Sequence, residues 1–340
     1  MIVSVVLKGK VMSNSGKIIT YCLDNLVNKP AFVEYMKAES NWFLSELDKY
    51  DVSDEIKTLS KGIKRQIGMQ KLLHAAMWKE VMVICNSSEN IVGLKGLFLE
   101  KIYYPSNVIR FYDDIDIIVE DKLGYRTFSF LKSIGYELEK KKGLADNKNW
   151  AITLMKSKYF QRTHHVVLKK YIGAVPIELE LHGNINRCKS CSLNFDRHLM
   201  NVNAVLRRCD NLELFVFKPE ENIVYLMYHC IKHLSYTSYI ISNNYRVNLQ
   251  KFYDIAQIVT TENINWYEFT LTVCKSNTAP FVSLFLKMFC AIFPDMVPTE
   301  VVSVVNDEAI KTEYKWKKTY DCVMKQRVED VLMGTWCDKV

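Results

Sequence analysis

Asp114 and Asp116 stand two residues apart in Asp114-Ile115-Asp116-Ile117-Ile118-Val119, a run whose composition predicts a β-strand. Side chains two apart in a strand leave the same face. Two neighbouring carboxylates repel, and burying them unpaired is costly, so a hard divalent cation is the usual means of holding such a pair. A third acid is available downstream. In Val175 to His182, the residues Glu178, Glu180 and His182 share one strand face, while Ile177, Leu179 and Leu181 share the other. Glu178 or Glu180 would complete a carboxylate triad able to hold one or two Mg²⁺ (or Mn²⁺) ions. Such ions bridge triphosphate oxygens, neutralise charge that builds in the transition state and lower the pKa of an acceptor hydroxyl. The competing reading of Asp-x-Asp is a solvated edge strand with surface acids.

Phosphate needs its own ligands. Leu94-Lys95-Gly96 lies between a strand expected over Ile91 to Leu94 and a short helix expected over Leu97 to Tyr103. A glycine there lets the backbone approach a phosphate, and the helix start adds amide donors. The stretch is not a Gly-x-x-x-x-Gly-Lys phosphate loop, and the chain has no Gly-x-Gly-x-x-Gly fingerprint. Arg110 stands four residues before the first aspartate and could contact phosphate or pair with the acids. His182 either lines the site beside Glu180 or is a plain strand histidine. Tyr103, Tyr104, Phe111 and Tyr112 could stack on a base, although aromatics around a strand are usually core.

Other groups carry weaker signals. His164-His165 precede the Val175 arm. His229 and His233 share a helix face, and with Cys188-x-x-Cys191 they suggest a Cys₂His₂ zinc site, against the simpler reading of core histidines. Lys140-Lys141-Lys142 read as a solvated charge run, and Arg162, Lys169 and Lys170 could meet a polyanionic acceptor.

The surrounding elements follow from periodicity. Apolar residues at helical spacing predict a helix over Pro30 to Tyr50 and a second from Ser53 through Met77, with a break at Gly62 or Gly68. The character changes near Val81 to short β-rich runs. A helix is expected over Asp121 to Ser133, stopped by a left-handed cap at Gly135. His165 to Lys170 and Val175 to His182 read as a hairpin turning at Gly173. Helices are expected again from Pro219, including Leu249 to Val259, Phe281 to Phe293 and Glu308 to Val331. The partition is therefore a helical region over 1–84, an α+β core over 85–187 with a small mixed sheet backed by helices, and a helical region over 188–340.

The 340 residues are 49% apolar and 24% charged, ordinary values for a folded soluble chain. A formal net charge of +7 is compatible with an anionic substrate without demanding nucleic acid. Ten cysteines scattered in apolar segments, with no secretory leader, suggest reduced thiols and a cytoplasmic protein. The longest apolar stretch, Ala279 to Phe293, contains Lys287 and is too short to span a bilayer, so no membrane partner is expected.

Taken together, Leu94-Lys95-Gly96, Tyr104-Pro105, Arg110, Asp114 to Val119 and Gly135-Tyr136 resemble the uncharacterised nucleotidyltransferase family of the DNA polymerase β-like superfamily. Glu180-Leu181-His182 resembles that family's glutamate-leucine-histidine strand, and Pro219-Glu220-Glu221, His229, His233 and Asp254 resemble its C-terminal helical half. The resemblance covers roughly residues 60–260. It implies a polymerase β-like nucleotidyltransferase core in which Asp114, Asp116 and Glu180 are catalytic metal ligands, and Lys95, Gly96, Arg110 and His182 attend the nucleotide. The implied reaction moves a nucleoside monophosphate from a triphosphate, with ATP favoured, to an acceptor hydroxyl on a small molecule, protein or tRNA. Lys95-Gly96 stands where the superfamily commonly has Gly-Ser or Gly-Gly, so a γ-phosphate serine is missing, and Gly183 stands where an aromatic is expected. The alternatives are a catalytically silent nucleotide- or partner-binding module and an adenylylating or tRNA-modifying toxin. Oligomeric state is not readable from the chain.

Overall fold

The aspartate run folds as the middle strand of a mixed sheet. The computed structural model describes residues 13–38, 41–87, 91–119, 125–138, 165–182, 204–232, 247–312 and 317–333. Its strands are β1 (Ile91–Gly93), β2 (Asp114–Val119), β3 (Glu137–Leu138), β4 (His165–Ile172), β5 (Val175–His182), β6 (Ala204–Cys209) and β7 (Leu212–Phe217). Their order in the sheet is β3-β4-β5-β2-β1-β7-β6. The β2–β5 and β1–β7 pairs are parallel, and the others are antiparallel. Helices α1 (Asn14–Tyr21), α2 (Phe32–Ala38) and α3 (Asp54–Ser87) precede the sheet, and α4 (Leu97–Tyr103) and α5 (Tyr125–Ser133) lie within its sequence. The described chain divides into two compact units, Met1–Ile67 with Ile223–Val340, and Gly68–Asn222. The second holds the whole sheet.

One face of the sheet is core. Ile115, Ile117, Ile177, Leu179, Leu181, Leu214 and Val216 join Met77, Trp78, Val81 and Ile84 of α3 and Phe128 and Leu131 of α5 in one apolar cluster. This packing explains why α3 neither breaks at its glycines nor yields to a strand near Val81, as the sequence had suggested. A Cβ at Gly62 or Gly68 would meet nothing within 4 Å, so both glycines cost only helix propensity, about 1 kcal/mol each. Met77, Trp78, Val81 and Ile84 recur at helical period and bury their side chains to 7% exposure or less, which outweighs that cost. Helix α5 ends at the expected place. The Tyr136 amide donates to the Leu131 carbonyl at 2.9 Å and the Gly135 amide to the Lys132 carbonyl at 3.1 Å. Gly135 takes φ +97, which closes the helix in a Schellman motif.

The β6–β7 hairpin falls within the stretch read as helical, and it corrects that expectation. Leu212, Leu214 and Val216 are buried while Glu213 and Phe215 are exposed, the period of a half-buried strand. Asp210 adopts φ 53 in the two-residue turn Asp210-Asn211, a local hairpin signal. The expected helix over Pro30 to Tyr50 is instead α2 followed by a 3₁₀ helix, Trp42–Lys49. Asn41 separates them. It is fully buried with extended backbone, and its side chain accepts from the Gln250 amide at 3.1 Å rather than continuing a helix.

After the sheet come α6 (Pro219–Ile231), α7 (Leu249–Thr261), α8 (Trp266–Lys275), α9 (Ala279–Ile292), α10 (Thr299–Lys311), α11 (Lys317–Lys325) and α12 (Val328–Met333). The single helix expected over Glu308 to Val331 is thus three. Lys287 of α9 donates to the carbonyls of Val323, Met324 and Gln326 at 3.2, 2.6 and 2.6 Å. It satisfies carbonyls that α11 leaves open, which explains the one charge in the apolar α9. No described helix is long and apolar enough to cross a membrane.

Gly93 is required by space. A Cβ there would sit 2.2 Å from Phe98 Cδ1, on a ring 2% exposed beneath the central strands. Gly93→Ala is therefore expected to lower stability by about 1–3 kcal/mol or more through overpacking. The urea midpoint checks this, and Phe98→Ala in the same background should relieve part of the clash.

Candidate active site

Register brings the predicted acids together. Asp114 pairs with Glu178, Asp116 with Glu180 and Ile118 with His182 across the parallel β2–β5 ladder. Asp114, Asp116, Glu178, Glu180 and His182 therefore occupy one face, opposite the apolar cluster. One carboxylate oxygen from each of Asp114, Asp116 and Glu180 lies within 4.8 Å of the others. Glu178, the alternative third acid, is engaged by Lys169 Nζ at 2.7 Å. Lys170 is likewise taken, by Glu80 at 2.9 Å, so both lysines are neutralised within the sheet-bearing unit.

Asp116 is the buried member, 2% exposed, and an ammonium and an imidazole meet it. Lys95 Nζ and His182 Nε2 each lie 2.8 Å from its Oδ1. Burial alone would raise the Asp116 pKa, but the Lys95 ammonium and the His182 hydrogen bond outweigh it and hold the carboxyl well below its usual range. Burial likewise pushes His182 down, yet its contacts with Asp116 and Glu180 raise it above the ordinary 6.5. His182 Nε2 is also 3.3 Å from Glu180 Oε2. His165 completes the row: it faces His182 across the β4–β5 ladder, with Nε2 3.2 Å from Glu180 Oε1. Burial lowers the His165 pKa despite Glu180.

The linkage has two signs. His182, raised when folded, stabilises fully below 6.5 and loses that contribution as pH rises through its folded pKa. Asp116, lowered when folded, stabilises above 3.8 and loses it as pH falls towards its folded pKa. The pair should therefore contribute most between those values. Urea midpoints should show the gap between wild type and His182→Gln narrowing from pH 5.5 to pH 8.5; an unchanged gap would contradict the coupling.

The turn after β1 is built around Gly96. Its φ of 49 and ψ of −114 are accessible to glycine and strained for other residues. The ring of Tyr112 lies beneath it, 3.4 Å from where a Cβ would stand. Tyr112 stacks on His74 with ring centroids 3.7 Å apart, and Glu100 gathers the group: its Oε2 accepts from the Arg110 amide at 3.0 Å and lies 3.1 Å from His74 Nδ1. Arg110 itself is 2% exposed, with its guanidinium 6.0 Å from the Tyr112 ring. Tyr103, Tyr104 and Tyr112 are buried, the core reading of these aromatics.

A family model described as "Uncharacterised nucleotidyltransferase" matches residues 44–294. The chain belongs to that family. The match spans the sheet, the acid cluster and helices α3 through α9. No curated protein and no solved structure matches the chain. As a member of this nucleotidyltransferase family the protein is a transferase, and its acid cluster is of a kind that can hold metal.

Two features of the site were not read from the sequence. His165 was uninterpreted, although its place at the start of the expected β4 arm offered a signal. The Lys95–Asp116 pair had none, because it joins separate elements. Cys188, Cys191 and His233 of the suggested zinc site, together with His164, Arg162, Lys140, Lys141, Lys142 and Gly183, lie outside the described residues.

Proposed function

We propose that this family member transfers a nucleoside monophosphate from a nucleoside triphosphate, with ATP favoured, to an acceptor hydroxyl, with Mg²⁺ or Mn²⁺ as cofactor. The observation that carries the reading is the convergence of Asp114, Asp116 and Glu180 within 4.8 Å on one sheet face, in a chain of this family. Their all-oxygen donor set fits a hard divalent cation. When bound, the ion neutralises charge on the triphosphate oxygens and lowers the pKa of the acceptor hydroxyl.

Asp114 and Asp116 would hold the cation, and Glu180 would share it and take the acceptor proton. In the transfer, the acceptor oxygen bonds to the α-phosphorus while the bond from that phosphorus to its bridge with the β-phosphate breaks. Pyrophosphate leaves with the electron pair. Lys95 carries three ammonium donors, so it can keep Asp116 and still reach a phosphate oxygen, and the Gly96 backbone lets the nucleotide approach. His182 fixes Asp116 and Glu180 relative to each other. Arg110, buried over Tyr112, holds the Gly96 turn from below rather than touching phosphate. The acceptor would be a small molecule, a protein or a tRNA. The prior neutralisation of Asp116 by Lys95 and His182 favours a second reading, a silent nucleotide- or partner-binding module.

One assay separates them. The full-length protein is incubated with each labelled nucleoside triphosphate, Mg²⁺ or Mn²⁺ and a cell extract, beside Asp114→Asn. Label on an acceptor with wild type alone supports transfer and begins to identify the acceptor. Equal labelling by both proteins would sink the assignment of these acids. Nucleotide binding without labelling would support the silent module.

A further inference from the structure

Beside the oxygen-rich acids, the same sheet face carries a nitrogen-rich group. His165 and His182 are direct partners across the antiparallel β4–β5 pair, and Glu180 lies two residues before His182 on their face. Such cross-strand partners bring their Cβ atoms to about 4.5–5.5 Å. His165 Nε2 is 3.2 Å from Glu180 Oε1, and His182 Nε2 is 3.3 Å from Glu180 Oε2. One donor atom from each of the three residues lies within 4.8 Å of the others. Donors bound about 2.0–2.1 Å from a tetrahedral ion stand roughly 3.3 Å from one another. The two measured separations, one to each Glu180 oxygen, are close to that spacing.

Two imidazoles and one carboxylate are the protein ligands of one class of catalytic zinc site, which keeps a further position for water. The His182 side chain is fully buried, while those of His165 and Glu180 are 26% and 19% exposed, so solvent reaches the group from the side of those two residues. Imidazole nitrogen suits zinc and its neighbours, whereas Mg²⁺ takes oxygen ligands. Glu180 belongs to both this group and the Asp114–Asp116 group. A carboxylate with two oxygens can serve both, and dinuclear centres place their ions about 3.5–4 Å apart. An ion here would replace the hydrogen bond from His182 Nε2 to Asp116.

We propose that His165, Glu180 and His182 form a binding site for a transition cation of the zinc class, joined through Glu180 to the oxygen site of Asp114 and Asp116. Only the joining rests on the proposed function; the imidazole site stands on its own geometry. The centre is thereby hybrid, with a hard oxygen half and a borderline nitrogen half.

Co²⁺, a coloured stand-in for zinc, tests this in the metal-stripped full-length protein. Wild type should bind one Co²⁺ with the visible absorption of a four- or five-coordinate site, displaced by Zn²⁺ and not by equal Mg²⁺. His165→Gln, a change at a half-exposed side chain, should weaken that binding at least tenfold while the circular dichroism spectrum is kept. Asp114→Asn should leave it within about twofold. Unchanged Co²⁺ binding in His165→Gln would overturn the site, as would equal loss in Asp114→Asn, or a thiolate charge-transfer band that persists without His165. Loss of transfer with His165-dependent Co²⁺ binding intact would strike the proposed function alone. Intact transfer without such binding would strike this site alone.

Discussion

Asp114→Asn is expected to reduce metal-dependent nucleotidyl transfer by about a thousandfold, the scale of losing several kcal/mol of charge stabilisation in the transition state. The substitution keeps the shape of a side chain on β2 and removes the charge that faces Asp116 and Glu180. Because Asp114 is only half-buried, stability should change by less than about 1 kcal/mol. The measurement is the initial rate of pyrophosphate release at saturating nucleotide, with and without added Mg²⁺. Folded Asp114→Asn protein with at least a tenth of the wild-type rate would remove Asp114 from the reaction.

Asp116→Ala should act on the fold first. Asp116 is 2% exposed, and its Oδ1 meets both Lys95 and His182 at 2.8 Å. Removing it leaves the buried Lys95 ammonium and the buried His182 ring without their shared anion. Breaking a buried pair from one side costs about 3–5 kcal/mol. The urea midpoint should fall accordingly, and Lys95→Met should restore part of the loss, because it removes the stranded ammonium. If Asp116→Ala proves as stable as Asp114→Asn, then Lys95 and His182 do not depend on that carboxylate. The two aspartates of a single Asp-x-Asp thus differ in setting: Asp114 is half-buried, and Asp116 is buried against Lys95 and His182.

Much of the site could be read along the chain because its signals are local. Alternation placed Asp114 with Asp116, and Glu180 with His182, since a strand's period of two depends on the backbone alone. The positions of Gly96 and Gly135 followed from turn and cap chemistry. The expected helix breaks at Gly62 and Gly68 failed for the opposite reason. Local propensity favoured them, but burial of Met77, Trp78, Val81 and Ile84 over the sheet decided otherwise. The β6–β7 hairpin was legible in the alternation of Leu212, Leu214 and Val216 and was not read.

The sequence by itself determined which residues could do the chemistry, which of them share a strand face, and the nucleotidyltransferase resemblance that the family match bears out. It left the choice between Glu178 and Glu180 open, one strand period apart, with Glu180 favoured by the resemblance. Tertiary structure gives them different surroundings: the β2–β5 register sets Glu180 beside Asp116 and Glu178 beside Asp114, and Lys169 on β4 pairs with Glu178. It also turned Lys95 onto Asp116 and brought His165 against Glu180. The last two contacts join residues 21 and 15 positions apart in sequence. Strand pairing fixes them, and pairing is chosen by burial of the apolar face over α3 and α5, which no local spacing encodes.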